Sequence, residues 1–128
     1  MKTILFVDDD PNIHKLLSKI AEKFNMRLIE AFNGHEALTL LKEHAVDLVL
    51  LDIMMPQMDG RDVCRLIKGD EKTKNIPVII FSAKDHQSDR LLGLKLGADD
   101  YITKPFHLEV LMRKVEHLLE SRQTKKSL

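Results

Sequence analysis

The chain has 128 residues, 44% of them apolar and 31% charged, with a formal net charge of zero. That length supports one domain around a single core, and the balanced charge excludes a general electrostatic pull on nucleic acid. The lone cysteine, Cys64, excludes an internal disulfide and fits a reducing cytoplasm. No apolar stretch approaches the ~20 residues of a bilayer span. Met1-Lys2-Thr3 enters a strand at once and lacks the shape of a signal peptide. The expectation is a cytoplasmic domain that touches neither membrane nor nucleic acid directly.

Strand-like and helix-like segments alternate, which predicts an α/β fold with a parallel sheet. Strand 1 is expected over about Thr3 to Val7. Helix 1 follows, with Ile13, Leu16, Leu17, Ile20, Ala21 and Phe24 at helical spacing. Asp10 suits its N-cap and Pro11 its first position. Strand 2 is expected over about Arg27 to Ala31. Asn33 with Glu36 can cap helix 2, which buries Ala37, Leu38 and Leu41. Strand 3 is Leu48 to Leu51. Helix 3 begins after Met58-Asp59-Gly60 and carries Val63, Leu66 and Ile67 inward, and a polar loop runs from Gly69 to Asn75. Strand 4 is Pro77 to Ser82. Helix 4 spans about Ser88 to Leu96 and stops at Gly97. Strand 5 is about Asp100 to Thr103. Helix 5 runs from about Leu108 to Arg122 with Leu108, Leu111, Met112, Val115, Leu118 and Leu119 on one face. Residues 1–121 make the domain. Residues 122–128 are a polar, basic tail, either a frayed terminus or the start of a linker. The strands are apolar throughout, so five helices must cover both faces of the sheet in a three-layer sandwich.

In an open parallel sheet, ligands bind outside the carboxyl ends of the strands. Strand 1 ends in Asp8-Asp9-Asp10, strand 3 in Asp52, strand 4 in Ser82 and strand 5 in Lys104-Pro105. Taken singly, each has an ordinary reading as a solvated turn, a helix cap or an exposed loop residue. Together they place acids, a hydroxyl and one lysine on one edge. Two carboxylates about 4 Å apart repel by roughly 4 kcal/mol at an effective dielectric near 20, so the cluster needs a cation or must take up protons. Oxygen-only ligands suit Mg2+, Mn2+ or Ca2+ rather than zinc. A carboxylate can also be a nucleophile in phosphoryl transfer. Asp52, alone at the end of the central strand, is the candidate, with Lys104 and Ser82 placed to hold phosphoryl oxygens.

These residues resemble the receiver domain of two-component response regulators, of the CheY-like superfamily. Val7-Asp8-Asp9-Asp10-Pro11 is similar to its first acidic motif. The segment from Leu51 to Gly60 is similar to its phosphoacceptor motif, Ser82-Ala83-Lys84 to its switch hydroxyl, and the segment from Gly97 to Phe106 to its last block. The resemblance covers about Thr3 to Leu119. It implies a flavodoxin-like sheet of order 2-1-3-4-5. It implies that Asp52 accepts a phosphoryl group from a sensor histidine kinase or phosphotransfer protein. Asp9, Asp52 and the Met54 carbonyl would bind Mg2+ directly, or Mn2+ in its place, and Asp8 largely through water. Ser82 and Lys104 would hold the phosphoryl oxygens, and Lys104–Pro105 would be a cis peptide. Ser82 and Tyr101 would form the switch, and the helix 4–strand 5–helix 5 face would speak to a downstream effector or output domain. Such a domain is no turnover enzyme and catalyses only its own phosphorylation and dephosphorylation.

Met54 and Lys84 flank the site. An apolar Met cannot orient an attacking water and a long Lys shields the phosphoryl group. Together they predict slower self-hydrolysis than Asn at 54 with an acid at 84. The charges Asp89, Arg90, Lys95, Asp99, Asp100, Glu109, Arg113 and Lys114 lie on the expected output face. The last block resembles that of regulators that form a homodimer through this face with paired charges: Asp100 and Arg113 suit that pattern, whereas Leu92 and Lys95 depart from it. The six histidines, at 14, 35, 44, 86, 107 and 117, have no spacing that favours a shared metal and are expected on the surface. Cys64 is expected to be partly buried and unreactive. Two rivals stand beside the signalling module. One is a phosphatase of the haloacid-dehalogenase type with Asp8 as nucleophile, which Asn12 disfavours. The other is a binding module that keeps the fold without phosphorylation.

Overall fold

A computed structural model describes residues 1–55, 57–83 and 95–127, with side chains left out at 83 and 122–127. The element order is β1 (Thr3–Val7), α1 (Pro11–Lys23), β2 (Arg27–Ala31), α2 (Gly34–Glu43), β3 (Leu48–Asp52), α3 (Gly60–Gly69), β4 (Val78–Ala83), β5 (Asp100–Lys104) and α4 (Leu108–Ser127). The strands form one parallel sheet of order β2-β1-β3-β4-β5. This is the expected flavodoxin-like order. Four helices stand among the described residues. Most of the expected helix 4 lies outside them, as do 56, Lys84, Asp89, Arg90 and Leu92. Lys95 is helical, and Gly97 follows at φ +98°, a left-handed turn that glycine adopts without steric cost.

Alternation along the strands splits the core into two layers. Leu5, Val7, Val49, Leu51 and Ile80 face one side, where Ala37 of α2 and Val63, Cys64 and Ile67 of α3 cover them. Ile4, Phe6, Leu48, Leu50, Ile79 and Phe81 face the other, under Leu17 and Ile20 of α1 and Leu111, Met112, Val115 and Leu119 of α4. β1 and β3 are buried at every position, whereas the edge strand β2 exposes Arg27 and Glu30. Each fully buried Leu, Ile or Phe contributes about 1.5–3 kcal/mol relative to exposure.

The helix stripes are narrower than expected. Leu16, Phe24 and Leu66 are exposed. Leu17, Ile20 and Ala21 fill the face of α1, so Leu16, a hundred degrees round the helix from Leu17, points out. Phe24 has already left the helix as its C-cap. In α3 the buried stripe is Val63, Cys64 and Ile67, which displaces Leu66. Helix α4 runs on to Ser127, beyond the expected end near Arg122. No Gly or Pro interrupts that stretch, and helix propagation continues where nothing breaks it. Among the described residues, no helix is long and apolar enough to cross a membrane.

The helix starts aim the loops at the carboxyl edge. The Asp10 side chain caps α1 by accepting from Asn12 N at 2.9 Å, with Pro11 at the first position. Asn33 caps α2 by accepting from Glu36 N at 2.9 Å, and Glu36 reaches back to Phe32 N at 2.7 Å. Asp59 caps α3 by accepting from Arg61 N at 2.8 Å and is also gripped by the Arg61 guanidinium. Gly60 follows because the start of α3 presses onto the end of β3. A Cβ there would lie 2.2 Å from the Asp52 carbonyl oxygen and 2.7 Å from Ile53 Cα.

Candidate functional site

The strand ends bring the acids together. Parallel register sets Val7 beside Leu51 and Asp52 beside Phe81, so Asp8 and Asp52 leave adjacent strands at nearly the same height. One carboxylate oxygen from each of Asp8, Asp9 and Asp52 can lie within 4.8 Å of the others. Asp8 and Asp52 are buried and Asp9 is exposed. Lys104 reaches in from β5, with Nζ 2.7 Å from Asp8 Oδ2 and 3.4 Å from Asp52 Oδ2. The same ammonium sits 4.8 Å from the centroid of the Phe81 ring. The Lys104–Pro105 peptide is cis.

Both buried acids are held in place. Asp8 Oδ1 accepts from Asp10 N at 2.9 Å, so each of its oxygens has a partner. Asp52 Oδ1 accepts from Met54 N at 3.2 Å, while the Met54 side chain is exposed. Burial, and next the Asp8 charge, push the Asp52 carboxyl from 3.8 up to about 6, against the pull of Lys104 and the Met54 N–H. Burial by itself lowers the Lys104 ammonium, but the hydrogen bond to Asp8 and the charges of Asp52 and Asp8 outweigh it and hold its pKa above the ordinary lysine value. One lysine thus balances two buried carboxylates, with a third carboxylate close by. That arrangement can take up a further cation.

Ser82 sits one residue beyond the strand partner of Asp52. It is fully buried, and its hydroxyl has no hydrogen-bond partner among the described residues. A buried unpaired hydroxyl costs about 1–3 kcal/mol and is a donor ready for an incoming oxygen. The Tyr101 ring is buried on β5. Lys84 lies outside the described residues.

Several side chains sit differently from the sequence expectation. His14 is buried rather than on the surface. Its ring lies 4.0 Å from the Phe32 ring in a stacked arrangement and 4.6 Å from the Phe6 ring. Its Nε2 donates to the Asp8 carbonyl oxygen at 2.7 Å. The spacing His14, Leu17, Ala21 would have revealed this, because i, i+3, i+7 puts the histidine on the buried face of α1. Cys64 is wholly buried rather than partly, and burial pushes its thiol up to about 11. Three charges expected on the output face, Asp99, Asp100 and Lys114, are engaged within the chain. Asp100 accepts from Lys114 Nζ at 3.0 Å. Asp99 accepts from Lys68 Nζ and from Val78 N, each at 2.8 Å.

Residues 4–116 match the model of the response regulator receiver domain. The chain belongs to the response-regulator receiver family. Members of this family are the phosphorylation-controlled signalling modules of two-component systems. Response regulator GtcR of Aneurinibacillus migulanus is 47% identical over 113 residues, which are 88% of this chain and 46% of that protein. The DNA-binding dual master transcriptional regulator RpaA of Synechocystis is 39% identical over 119 residues, 93% of this chain and 49% of that protein. The chain therefore spans about half the length of the curated relatives it matches. Among solved structures, Thermotoga maritima TrrA in complex with Mg2+-BeF superposes with a TM-score of 0.82 at 37% identity, covering 92% of this chain and 99% of that one.

Proposed function

We propose that Asp52 is the phosphoacceptor of a two-component receiver and takes its phosphoryl group from a histidine of a sensor kinase or phosphotransfer protein. A carboxylate oxygen of Asp52 attacks phosphorus as the P–N bond to the donor imidazole breaks, and the imidazole leaves with a proton. The buried, lysine-balanced Asp52 beside Asp8 carries this reading. Lys104, already 3.4 Å from Asp52, neutralises one phosphoryl oxygen. The unpaired Ser82 hydroxyl donates to another.

The donor set fits a hard divalent cation. Its side-chain ligands are carboxylate oxygens only, and Asp8, Asp9 and Asp52 around the Lys104 ammonium leave negative charge in excess. Asp9, Asp52 and the Met54 carbonyl would hold Mg2+, or Mn2+ in its place, with Asp8 acting largely through water. When bound, the ion withdraws charge from the transferring phosphoryl group. Asp8 has both oxygens occupied by Lys104 Nζ and Asp10 N, which weighs against a phosphatase using Asp8 as nucleophile. The domain is accordingly read as no turnover enzyme beyond making and losing its own acyl phosphate.

Phosphorylation replaces a carboxylate by a dianion with more acceptor oxygens. In this reading Ser82 moves toward it and Tyr101 fills the space behind. The face that carries β5 and α4 then changes its affinity for an effector, an output domain or a second copy of the chain. The differential affinity of that face for its partner sets the size of the shift. DNA binding, where it occurs, belongs to an output domain and not to residues 1–121. The exposed apolar Met54, together with Lys84, lengthens the life of the phosphoryl group. The test is incubation with acetyl phosphate and Mg2+ followed by intact mass. One phosphoryl group is expected on the wild type and none on Asp52→Ala or with excess chelator. Equal labelling of Asp52→Ala would overturn the assignment.

A further inference from the structure

The described residues offer three features outside the phosphoryl chemistry: the α2–α3 groove beside Leu38 and Leu41, the buried Cys64, and His14. His14 carries the argument furthest. A carbonyl oxygen only accepts, so the 2.7 Å contact with the Asp8 carbonyl requires a proton on Nε2. The bond is buried and spans from the first turn of α1 to the end of β1. Asp8 is otherwise tied through its own N–H to the Ala31 carbonyl at 3.2 Å, through Oδ1 to Asp10 N and through Oδ2 to Lys104.

The ring has little freedom. Phe32 stacks on it with planes 24° apart, and Phe6 lies against it with planes 59° apart. Its other nitrogen, Nδ1, is 3.7 Å from Glu30 Oε2 on β2. A rigid donor therefore fixes the peptide that joins Asp8 to Asp9. That peptide determines where both carboxylates point.

We infer that His14 is a positioning residue of the cation site, holding the Asp8–Asp9 turn so that both carboxylates converge with that of Asp52. The inference rests on the metal-binding reading above. Partners that orient metal ligands typically change affinity 10–100-fold when removed. Acting through one backbone carbonyl, His14 falls at the low end, about 10-fold.

The experiment separates the donor from the packing. Mg2+ affinity is measured by calorimetry, and stability by urea unfolding without metal, for the wild type, His14→Phe, His14→Gln and His14→Ala. Phenylalanine keeps a stacking ring and drops the donor. Glutamine keeps an amide near the place of Nε2 and drops the ring. The expected result is Mg2+ binding about 10-fold weaker in His14→Phe, with a urea midpoint near that of the wild type. His14→Gln should bind Mg2+ almost as the wild type does despite a lower midpoint. Acetyl phosphate labelling of His14→Phe should recover at saturating Mg2+. Wild-type affinity in His14→Phe, or affinities that follow the urea midpoints across the series, would overturn the inference alone. A wild type that binds no Mg2+ would overturn the cation-site reading and this inference with it.

Discussion

The two ends of the sheet treat charge in opposite ways. At the amino end, Asp99 accepts from Lys68 and from Val78 N, and Lys68 also donates to the Ile76 carbonyl at 2.8 Å. Asp47 accepts from Thr3 N at 2.8 Å. These bonds close strand starts and tie α3 to β4. At the carboxyl end, two buried acids share Lys104, Asp52 is pushed up to about 6, and the Ser82 hydroxyl is unpaired among the described residues. The same chain satisfies its polar groups where strands begin and leaves them in tension where they end. The amino end therefore serves stability, and the carboxyl end holds free energy that a cation and a phosphoryl group can release.

The sharpest break of this contrast is Lys104→Met. It removes the ammonium that Asp8 and Asp52 share, and breaking a buried pair typically costs about 3–5 kcal/mol. Lys104 is partly exposed, so a loss of about 3 kcal/mol is expected near neutral pH. Urea unfolding should show it shrinking as acid neutralises the carboxylates. A loss that does not change with pH would mean that Lys104 acts through packing.

Asp52→Asn should do the reverse. The folded value for Asp52 lies above the ordinary 3.8, so between there and about 6 the folded chain holds the extra proton. Stability contributed by this group therefore falls as pH rises through that window. Removing the charge should stabilise the metal-free chain by about 3 kcal/mol at about pH 8, with the gain fading toward about pH 4. Thermal or urea unfolding across pH measures it. Destabilisation at the alkaline end would contradict the picture of a strained edge.

The smallest effect belongs to the amino end. Asp99→Ala leaves Val78 N without its acceptor and removes the Lys68 ion pair, while Lys68 keeps the Ile76 carbonyl; it should cost about 1–2 kcal/mol. Mg2+ affinity should be unchanged. A variant that lost metal binding as well would show that the two ends are coupled.

Much of this was legible in the chain. Apolar runs closing on Asp8, Asp52, Ser82 and Lys104 announced both the sheet and its chemical edge, because a parallel strand is buried on both faces and its end is where polarity returns. Asp10 and Asn33 announced their helices by local capping chemistry. Harder to read were features that depend on which part of a helix faces inward. Leu16 and Leu66 are apolar yet exposed, and His14 is polar yet buried, its ring packed against Phe6 of β1 and Phe32 just beyond β2, both outside α1. The engagement of Asp99 by Lys68 joins residues 31 apart in sequence, and no local pattern signals it.

The central claim is that Asp52 itself carries an acyl phosphate. Hydride reduction tests it most directly, because borohydride converts an aspartyl phosphate to homoserine and leaves free carboxylates intact. After treatment with acetyl phosphate and Mg2+, reduction and peptide mapping should find homoserine at position 52 alone. Homoserine at position 8 or 9, or no reduction in a protein that has gained a phosphoryl group, would contradict the account.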